Sequence, residues 1–390
     1  MSQSAPGPKL EVRIVPVTPL QQNCSLIFDP ITKHAAFVDP GGDIETLTGA
    51  LNNFGLTLKR IWLTHGHLDH AGAAAVVRAL AAVLAGCEVG DAPRRLPLAP
   101  IAGHRFVELR VNRACNEACR FCNTPADSPT ILDEPDRVLA AIAAAAAGGC
   151  RDLLLTGRET TLAPELPTYV AAARAAGIAN VRVQTNATTL GHGPMLARLL
   201  AAGVTEFEVS LHTLAPETFT ALIGPAGLLA HAEAGLDALS AAAAPVTIVT
   251  VITAANLDEV PALVATIGRR WPSVRRLVLS PVAPVGDGAG ALDLLVPYGR
   301  LGAVVAAALT AAAAAGIEAS VPARCGLPPC VLPPALRDRH DAVRADRGGP
   351  IEPGKRKPPG CGGCALDARC AGPWIGYLDR FGADDLAPIA

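Results

Sequence analysis

The chain has no apolar run of the roughly 20 strongly hydrophobic residues that a bilayer-spanning helix requires. Its longest candidates, Leu139 to Ala147 and Leu301 to Ala315, are alanine-rich and shorter. They read as helices packed into a core, and no membrane partner is expected. Nor is there an excess of one charge. Lys and Arg number 33 against 35 Asp and Glu, a formal charge of -2, so no basic field gathers phosphates or anionic lipid, and nucleic acid is an unfavoured partner. A secretory start is missing too: Met1 to Pro8 carries neither a basic opening nor an apolar stretch. Eleven cysteines without an export signal point to a reducing, cytoplasmic setting, where thiols serve as metal ligands before disulfides.

What is present divides the 390 residues into regions. Half the chain is apolar, enough for a large buried core. In the first region, residues 1–82, short runs at Glu11 to Val15, Cys24 to Phe28, Ala35 to Val38 and Arg60 to Leu63 read as strands. A helix is expected over Ile44 to Phe54, and an alanine-rich one from Ala71. Residues 83–104 hold Gly, Asp, Pro and paired Arg without periodicity and read as a linker. From 105 to 322, six strand-like runs (Phe106 to Val111, Arg151 to Leu155, Asn180 to Gln184, Glu206 to Leu211, Val246 to Val251 and Arg276 to Leu279) alternate with helical stretches. Strands separated by helix-length connections favour a parallel α/β sheet, either an incomplete barrel or a doubly wound sheet. The last region, 323–390, is crowded with Cys, Pro and Gly.

In parallel α/β folds chemistry collects at the carboxyl ends of the strands. There, after the first strand of the middle region, stand Cys115, Cys119 and Cys122, spaced by three and then two residues on one loop. An iron-sulfur cube normally takes four thiolates, so three leave one iron open to a small ligand. The plainer readings are a zinc site completed by a distant His, or unrelated buried cysteines.

This spacing, with an aromatic before the third cysteine (Phe121), resembles the signature of the radical S-adenosylmethionine (SAM) superfamily, over about Arg105 to Pro322. The resemblance implies a partial (β/α)6 barrel and a [4Fe-4S] cluster whose open iron is chelated by SAM. It further implies reductive cleavage of SAM to a 5′-deoxyadenosyl radical that abstracts hydrogen from a substrate. Gly157 and Glu159, in Thr156-Gly157-Arg158-Glu159, look like the family's element that receives the methionine amino group; Arg158 stands where a second glycine is usual, at a cost on the order of 1 kcal/mol if that position needs positive φ. Gln184 and Asn186, closing the third strand, and Ser210, closing the fourth, are the other implied SAM contacts. Each taken singly could be a strand-end polar group bonded to nearby backbone. His212 could face the substrate or solvent.

The tail carries Cys325, Cys330, Cys361, Cys364 and Cys370 in a Gly-rich setting. It resembles the SPASM or twitch extensions that hold auxiliary clusters in many peptide-modifying radical SAM enzymes. One auxiliary [4Fe-4S] cluster is implied, on Cys361, Cys364, Cys370 and either Cys330 or Cys325, with a zinc knuckle as the plainer alternative. Cys150 reads as a small core residue.

Thr64-His65-Gly66-His67-Leu68-Asp69-His70 is a separate motif. It resembles the metal signature of metallo-β-lactamase-fold hydrolases of the glyoxalase II type, over about Lys9 to Ala82. That resemblance implies an αββα architecture and two metals, zinc among the candidates, held by His65, His67, Asp69 and His70. The family completes its site from the second half of the sandwich, which this chain does not reach before the next domain starts; a fused remnant, a chimeric gene, or dimerisation restoring the second half would each explain the partial segment.

The leading expectation is a radical SAM oxidoreductase or maturase acting on a peptide, with a flavodoxin or ferredoxin as electron donor. The alternatives are a zinc-dependent thioester hydrolase working from the His65 to His70 motif, and a non-catalytic zinc-binding interaction protein.

Overall fold

The computed structural model describes residues 10–17, 22–40, 43–62, 106–125, 128, 130–225, 227–285, 290–344 and 354–390. The chain separates into two compact units, Met1–Pro97 and Leu98–Ala390. His65, His67, Asp69 and His70, with the expected helix from Ala71 and the expected linker, lie outside the described residues.

In the first unit four strands, β1 (Glu11–Val17), β2 (Gln22–Phe28), β3 (His34–Val38) and β4 (Thr57–Trp62), form one sheet in chain order. The first three are antiparallel, and β3 pairs with β4 in parallel because helix α1 (Ile44–Phe54) makes the crossover between them. Val17, Cys24, Leu26, Phe28, Phe37 and Leu58 alternate onto one face and pack with Leu47 of α1. On β1 the alternate residues Val12 and Ile14 are 49% and 54% exposed. These exposed alternates lie on β1, whereas on β3 Ala36 is buried along with its neighbours Ala35 and Phe37.

The second unit is built on a parallel sheet of seven strands: β5 (Phe106–Arg110), β6 (Asp152–Thr156), β7 (Asn180–Thr185), β8 (Glu206–Ser210), β9 (Val246–Ile252), β10 (Val274–Pro281) and β11 (Glu318–Ser320). Their spatial order is their chain order. Every right-handed crossover therefore steps the same way and lays its helix on the same side; a doubly wound sheet would need a reversal of order. This is the open partial barrel that was expected, with the short β11 added. Its sequence, Glu318-Ala319-Ser320, lacks the β-branched run that would have announced a strand.

The connecting helices include α2 (Pro135–Ala147), α3 (Leu166–Ala175), α4 (Met195–Ala202), α5 (Pro216–Ile223), α6 (Leu228–Ala241), α7 (Val260–Arg270) and α8 (Tyr298–Ala314). Several begin with Pro in the first turn, where its missing N–H has no partner to lose. Strand residues such as Leu153, Val183, Val209, Ile248 and Leu277 are fully covered, and the helices add Ile142, Val170, Leu236 and Ile267 to the same core. The tail does not build a core of its own: Cys325, Leu327, Leu332, Trp374 and Tyr377 join this one. The Tyr298 and Tyr377 rings stack at 3.6 Å, and the Tyr298 backbone N–H donates to the Tyr377 hydroxyl at 2.7 Å.

Candidate functional site

The loop that carries Cys115, Cys119 and Cys122 leaves the end of β5 and is held at both sides. On one side the β5–β6 pairing continues past the strands: Val111 N–H donates to Thr156 O, Arg158 N–H to Asn112 O and Glu159 N–H to Ala114 O, at 2.8, 3.1 and 3.0 Å. On the other, Ala118 and Arg120 N–H groups donate to the Ile223 and Leu222 carbonyls at the end of α5, at 2.8 and 2.9 Å. The last carbonyls of a helix lack intrahelical partners, so the loop satisfies α5 while α5 fixes the loop.

Gly157 makes the approach of Asn112 to this turn feasible. It lies at φ +149°, and a Cβ there would stand 2.7 Å from the Asn112 carbonyl oxygen, closer than any real contact. Arg158 is not among the residues with positive φ, so the glycine usual at its position is not required here. Its guanidinium instead donates to Thr124 O at 3.1 Å, bracing the loop just beyond Cys122.

Glu159 is 1% exposed. Its Oε1 accepts from the Thr161 N–H at 3.0 Å, from the Thr161 hydroxyl and from the Thr185 hydroxyl at 2.6 Å, while Oε2 accepts from the Asn186 N–H at 2.6 Å. Burial pushes its carboxyl above the usual range, and these hydrogen bonds oppose the shift. Asn186 donates through Nδ2 to Asn116 Oδ1 at 2.8 Å, and Asn116 Nδ2 donates to the Thr188 hydroxyl at 2.7 Å. One polar network thus ties the cysteine loop to the ends of β6 and β7. Ala187 adopts φ +63° within it, a conformation costing about 1 kcal/mol or more in a non-glycine residue. Gly235 of α6 has no room for a Cβ, which would fall 2.1 Å from the Ala187 oxygen.

The other implied positions are placed as follows. Gln184 Oε1 accepts from the Thr156 hydroxyl, bridging β6 and β7. Ser210 ends β8 and is partly buried. Phe121 is 7% exposed, packed with Phe219, Leu222 and Ile223, and edge-on to the His212 ring at 4.8 Å. His212 does not face solvent: it is 7% exposed, and its Nδ1 accepts from the Val251 N–H at 3.0 Å. Burial lowers its pKa to about 4, so the ring is neutral. Asn256 donates to His212 O and Val251 O, fixing this corner.

Within the loop, Glu117 N–H donates to Cys115 Sγ, the Cys119 thiol donates to Glu117 Oε2 and the Cys122 thiol donates to Thr124 O, each at 3.4 Å. Burial pushes the Cys115 thiol up to about 11 and the Cys119 thiol further, and Glu117 up to about 7. Thiols this reluctant to ionise become ligands only when a metal centre supplies positive charge, so loading the site releases protons.

In the tail, Cys330, Cys361, Cys364 and Cys370 line one cavity of about 410 Å³, part of it open to solvent. The Gly372 N–H donates to Cys370 Sγ and the Ile389 N–H to Cys364 Sγ, both at 3.4 Å. Amide hydrogen bonds to sulfur are what iron-sulfur centres use to set their potential. Cys325 stands apart. It lines a second cavity with Tyr298, Trp374 and Tyr377, its thiol raised to about 12 by burial.

Among the described residues, no three His, Cys, Asp or Glu side chains converge tightly enough to hold a single metal ion. A lone zinc draws its sulfur ligands to about 2.3 Å from one point, whereas a cube takes one thiolate at each corner and spreads them. The Cys115 and Cys122 thiols act electrostatically on Cys119, and those of Cys361, Cys364 and Cys370 on Cys330, so each group lies close together. Sequence reasoning missed Glu117 and Asn116, and could not choose between Cys325 and Cys330; the polar pair between the first two cysteines was the signal at hand.

Residues 109–267 match the family model of the radical SAM superfamily, and residues 17–143 that of the metallo-beta-lactamase superfamily. The chain is similar to hydroxyacylglutathione hydrolase GloC of Haemophilus influenzae, 54% identical over 65 residues, 17% of this chain and 30% of the relative. It is similar to GTP 3′,8-cyclase of Chlorobaculum tepidum, 33% identical, over 45% of this chain and 54% of the relative. It is similar to PqqA peptide cyclase of Xanthomonas campestris, 28% identical, over 43% and 45%. Among solved structures, Streptococcus suis SuiB bound to precursor peptide SuiA aligns with a TM-score of 0.47 at 16% identity, over 56% of this chain and 48% of that one. The chain thus spans 30 to 54% of the length of these curated relatives.

Proposed function

We propose that this chain, which carries a radical SAM domain over residues 109–267, cleaves SAM reductively to initiate hydrogen abstraction from a substrate. The observation that carries this reading is the gathering of Cys115, Cys119 and Cys122 on one loop at the carboxyl end of β5, docked through Gly157 and Glu159 onto the end of β6. In this reading the three thiols hold a [4Fe-4S] cluster, and Cys330, Cys361, Cys364 and Cys370 hold an auxiliary one. When bound there, the cluster would supply the electron for reductive cleavage of SAM, with Cys115, Cys119 and Cys122 as the residues that would hold it.

The protein's part is positioning and exclusion of water. Arg158, Asn112 and the end of α5 fix the cysteine loop. Asn116, Asn186, Thr188, Thr161 and Thr185 lock the neighbouring strand ends into one hydrogen-bonded unit, and Gln184 and Ser210 stand at that same rim. Phe121, seated on His212, closes the floor beside Cys122 with apolar surface.

The substrate we propose is a peptide, supported by the likeness to PqqA peptide cyclase and by the cysteine-lined cavity in the tail. The likeness to GTP 3′,8-cyclase makes a nucleotide the competing class. A flavodoxin- or ferredoxin-type donor is the proposed electron source. The likeness to GloC over 65 residues, with the match of residues 17–143 to the metallo-beta-lactamase superfamily, supports reading the N-terminal segment as a remnant of a hydrolase.

Anaerobic reconstitution followed by reduction with dithionite in the presence of SAM should release 5′-deoxyadenosine, and the triple Cys115→Ala, Cys119→Ala, Cys122→Ala variant should release none. Zinc without SAM cleavage would overturn the reading and move attention to the His65 to His70 motif. Offering GTP in the same assay separates the two substrate classes: GTP-stimulated deoxyadenosine formation would replace the peptide.

A further inference from the structure

The tail cavity is bounded on one side by a segment that has no helix or strand of its own. Leu386, Pro388 and Ile389 line it together with Cys330, Cys361, Cys364 and Cys370. Ile389 meets the cysteine segment with both of its backbone groups: its N–H donates to Cys364 Sγ at 3.4 Å, and its carbonyl accepts from the Ala365 N–H at 2.8 Å. Two residues earlier, the Ala387 N–H donates to the Cys330 sulfur. Leu386 packs against the core of the second unit, and its own N–H is taken by the Ala383 carbonyl at 3.0 Å. The segment is thus pinned at Leu386 and at Ile389, while Ala387 and Pro388 between them are exposed.

An exposed irregular segment can satisfy its N–H groups with water. Here two of them go to sulfur instead. An N–H aimed at a metal-bound sulfur stabilises negative charge there, and an iron-sulfur cluster carries one more negative charge when reduced. Such donors therefore raise the reduction potential. Four thiolates also leave a four-iron cube no open position. A site with four cysteines under an apolar cover can pass single electrons, and it offers a ligand no iron to bind.

We propose that Leu386 to Ile389 are positioning residues for the tail site. Their amides on Cys330 and Cys364 raise the potential of the cluster held there, and their side chains keep small ligands from its iron, so that the site carries electrons and ligates no substrate. The proposal rests on the reading that Cys330, Cys361, Cys364 and Cys370 hold an auxiliary cluster, and it gives that cluster a role.

The test uses the full chain with Cys115, Cys119 and Cys122 replaced by alanine, so that the tail site alone takes up a cluster on reconstitution. In this background Ile389→Pro removes the amide on Cys364, Ala387→Pro removes the one on Cys330, and Ile389→Ala keeps the amide but trims the apolar cover. Two quantities are read without oxygen: the midpoint potential, by EPR-monitored titration with dithionite, and the rate at which bathophenanthroline disulfonate extracts the iron. Both proline variants should lower the potential and lose iron about tenfold faster, the factor that corresponds to one hydrogen bond of ordinary strength. Ile389→Ala should lose iron faster with no fall in potential. Potentials and extraction rates equal to the background in both proline variants would overturn the proposal. So would an equal fall in potential for Ile389→Ala and Ile389→Pro, since the side chain and not the amide would then set it. Proline variants that take up no iron would assign these amides to assembly of the site, and the proposal would fall as well. A background chain that takes up no iron would instead defeat the auxiliary-cluster reading itself, and the proposal with it.

Discussion

The backbone N–H of Asn186 donates to Glu159 Oε2 at 2.6 Å. This one bond joins the loop after β6 to the end of β7, and through Asn186 Nδ2 and Asn116 it reaches the cysteine loop. A buried acid that satisfies several donors at once stabilises by the desolvation its partners would otherwise suffer.

Glu159→Gln should therefore act on stability before it acts on ligand affinity. The amide keeps the volume but turns one acceptor oxygen into a donor facing an N–H or a hydroxyl. Urea unfolding of the full chain should show a loss of about 1–3 kcal/mol. Wild-type stability would mean that the network around Glu159 is not a strut.

Gly157→Ala tests the docking of the loop on β6. The added Cβ meets the Asn112 carbonyl at 2.7 Å in a backbone conformation L residues rarely adopt, a strain of order 1–3 kcal/mol. The expected outcome is lower iron uptake on reconstitution together with a lower unfolding midpoint. Full iron loading in the variant would show that the loop holds its shape without that contact.

The choice of auxiliary ligands is tested by iron analysis. Wild type should reconstitute to about eight irons per chain, two four-iron clusters, and Cys330→Ala to about four. Cys325→Ala should keep the higher value, because Cys325 lines a different cavity. The reverse pattern would move the fourth ligand to Cys325.

His340 gives the tail a pH dependence. It is 1% exposed, its Nδ1 accepts from the Ala342 N–H, and its other ring nitrogen bonds the Leu327 carbonyl. Burial lowers its pKa from 6.5 to about 4. Between those values the unfolded chain binds the extra proton. The stability from burying neutral His340 is thus complete above about pH 6.5, falls by about 1.4 kcal/mol per unit as the pH drops toward 4, and levels off below. Urea unfolding from pH 7 to pH 4.5 should show this slope, and His340→Gln should remove it. A slope unchanged in the variant would assign it to other groups.

Much of the second unit was legible. The strands expected at Phe106, Arg151, Asn180, Glu206, Val246 and Arg276 lie within two residues of β5 to β10, because buried parallel strands are short apolar runs separated by helices of another period. The strand β11 was not, since three ordinary residues pair with β10 only because α8 delivers them there. The cysteine spacing marked out one loop at a strand end, but the contacts of Glu117 were hidden: nothing in the sequence says which way a side chain between two cysteines turns.

By itself the sequence determined the alternation of strands and helices, the three-cysteine loop at a strand end, and the cysteine-rich character of the tail, because these depend on local pattern and spacing. Tertiary structure decided the strand order that makes the sheet a partial barrel. It also put Cys330 and not Cys325 beside Cys361, Cys364 and Cys370, and tied Glu159 to β7 while leaving Glu117 turned toward Cys119. Those choices bring together residues tens of positions or more apart, and packing and hydrogen-bond satisfaction across the whole domain are what select among them.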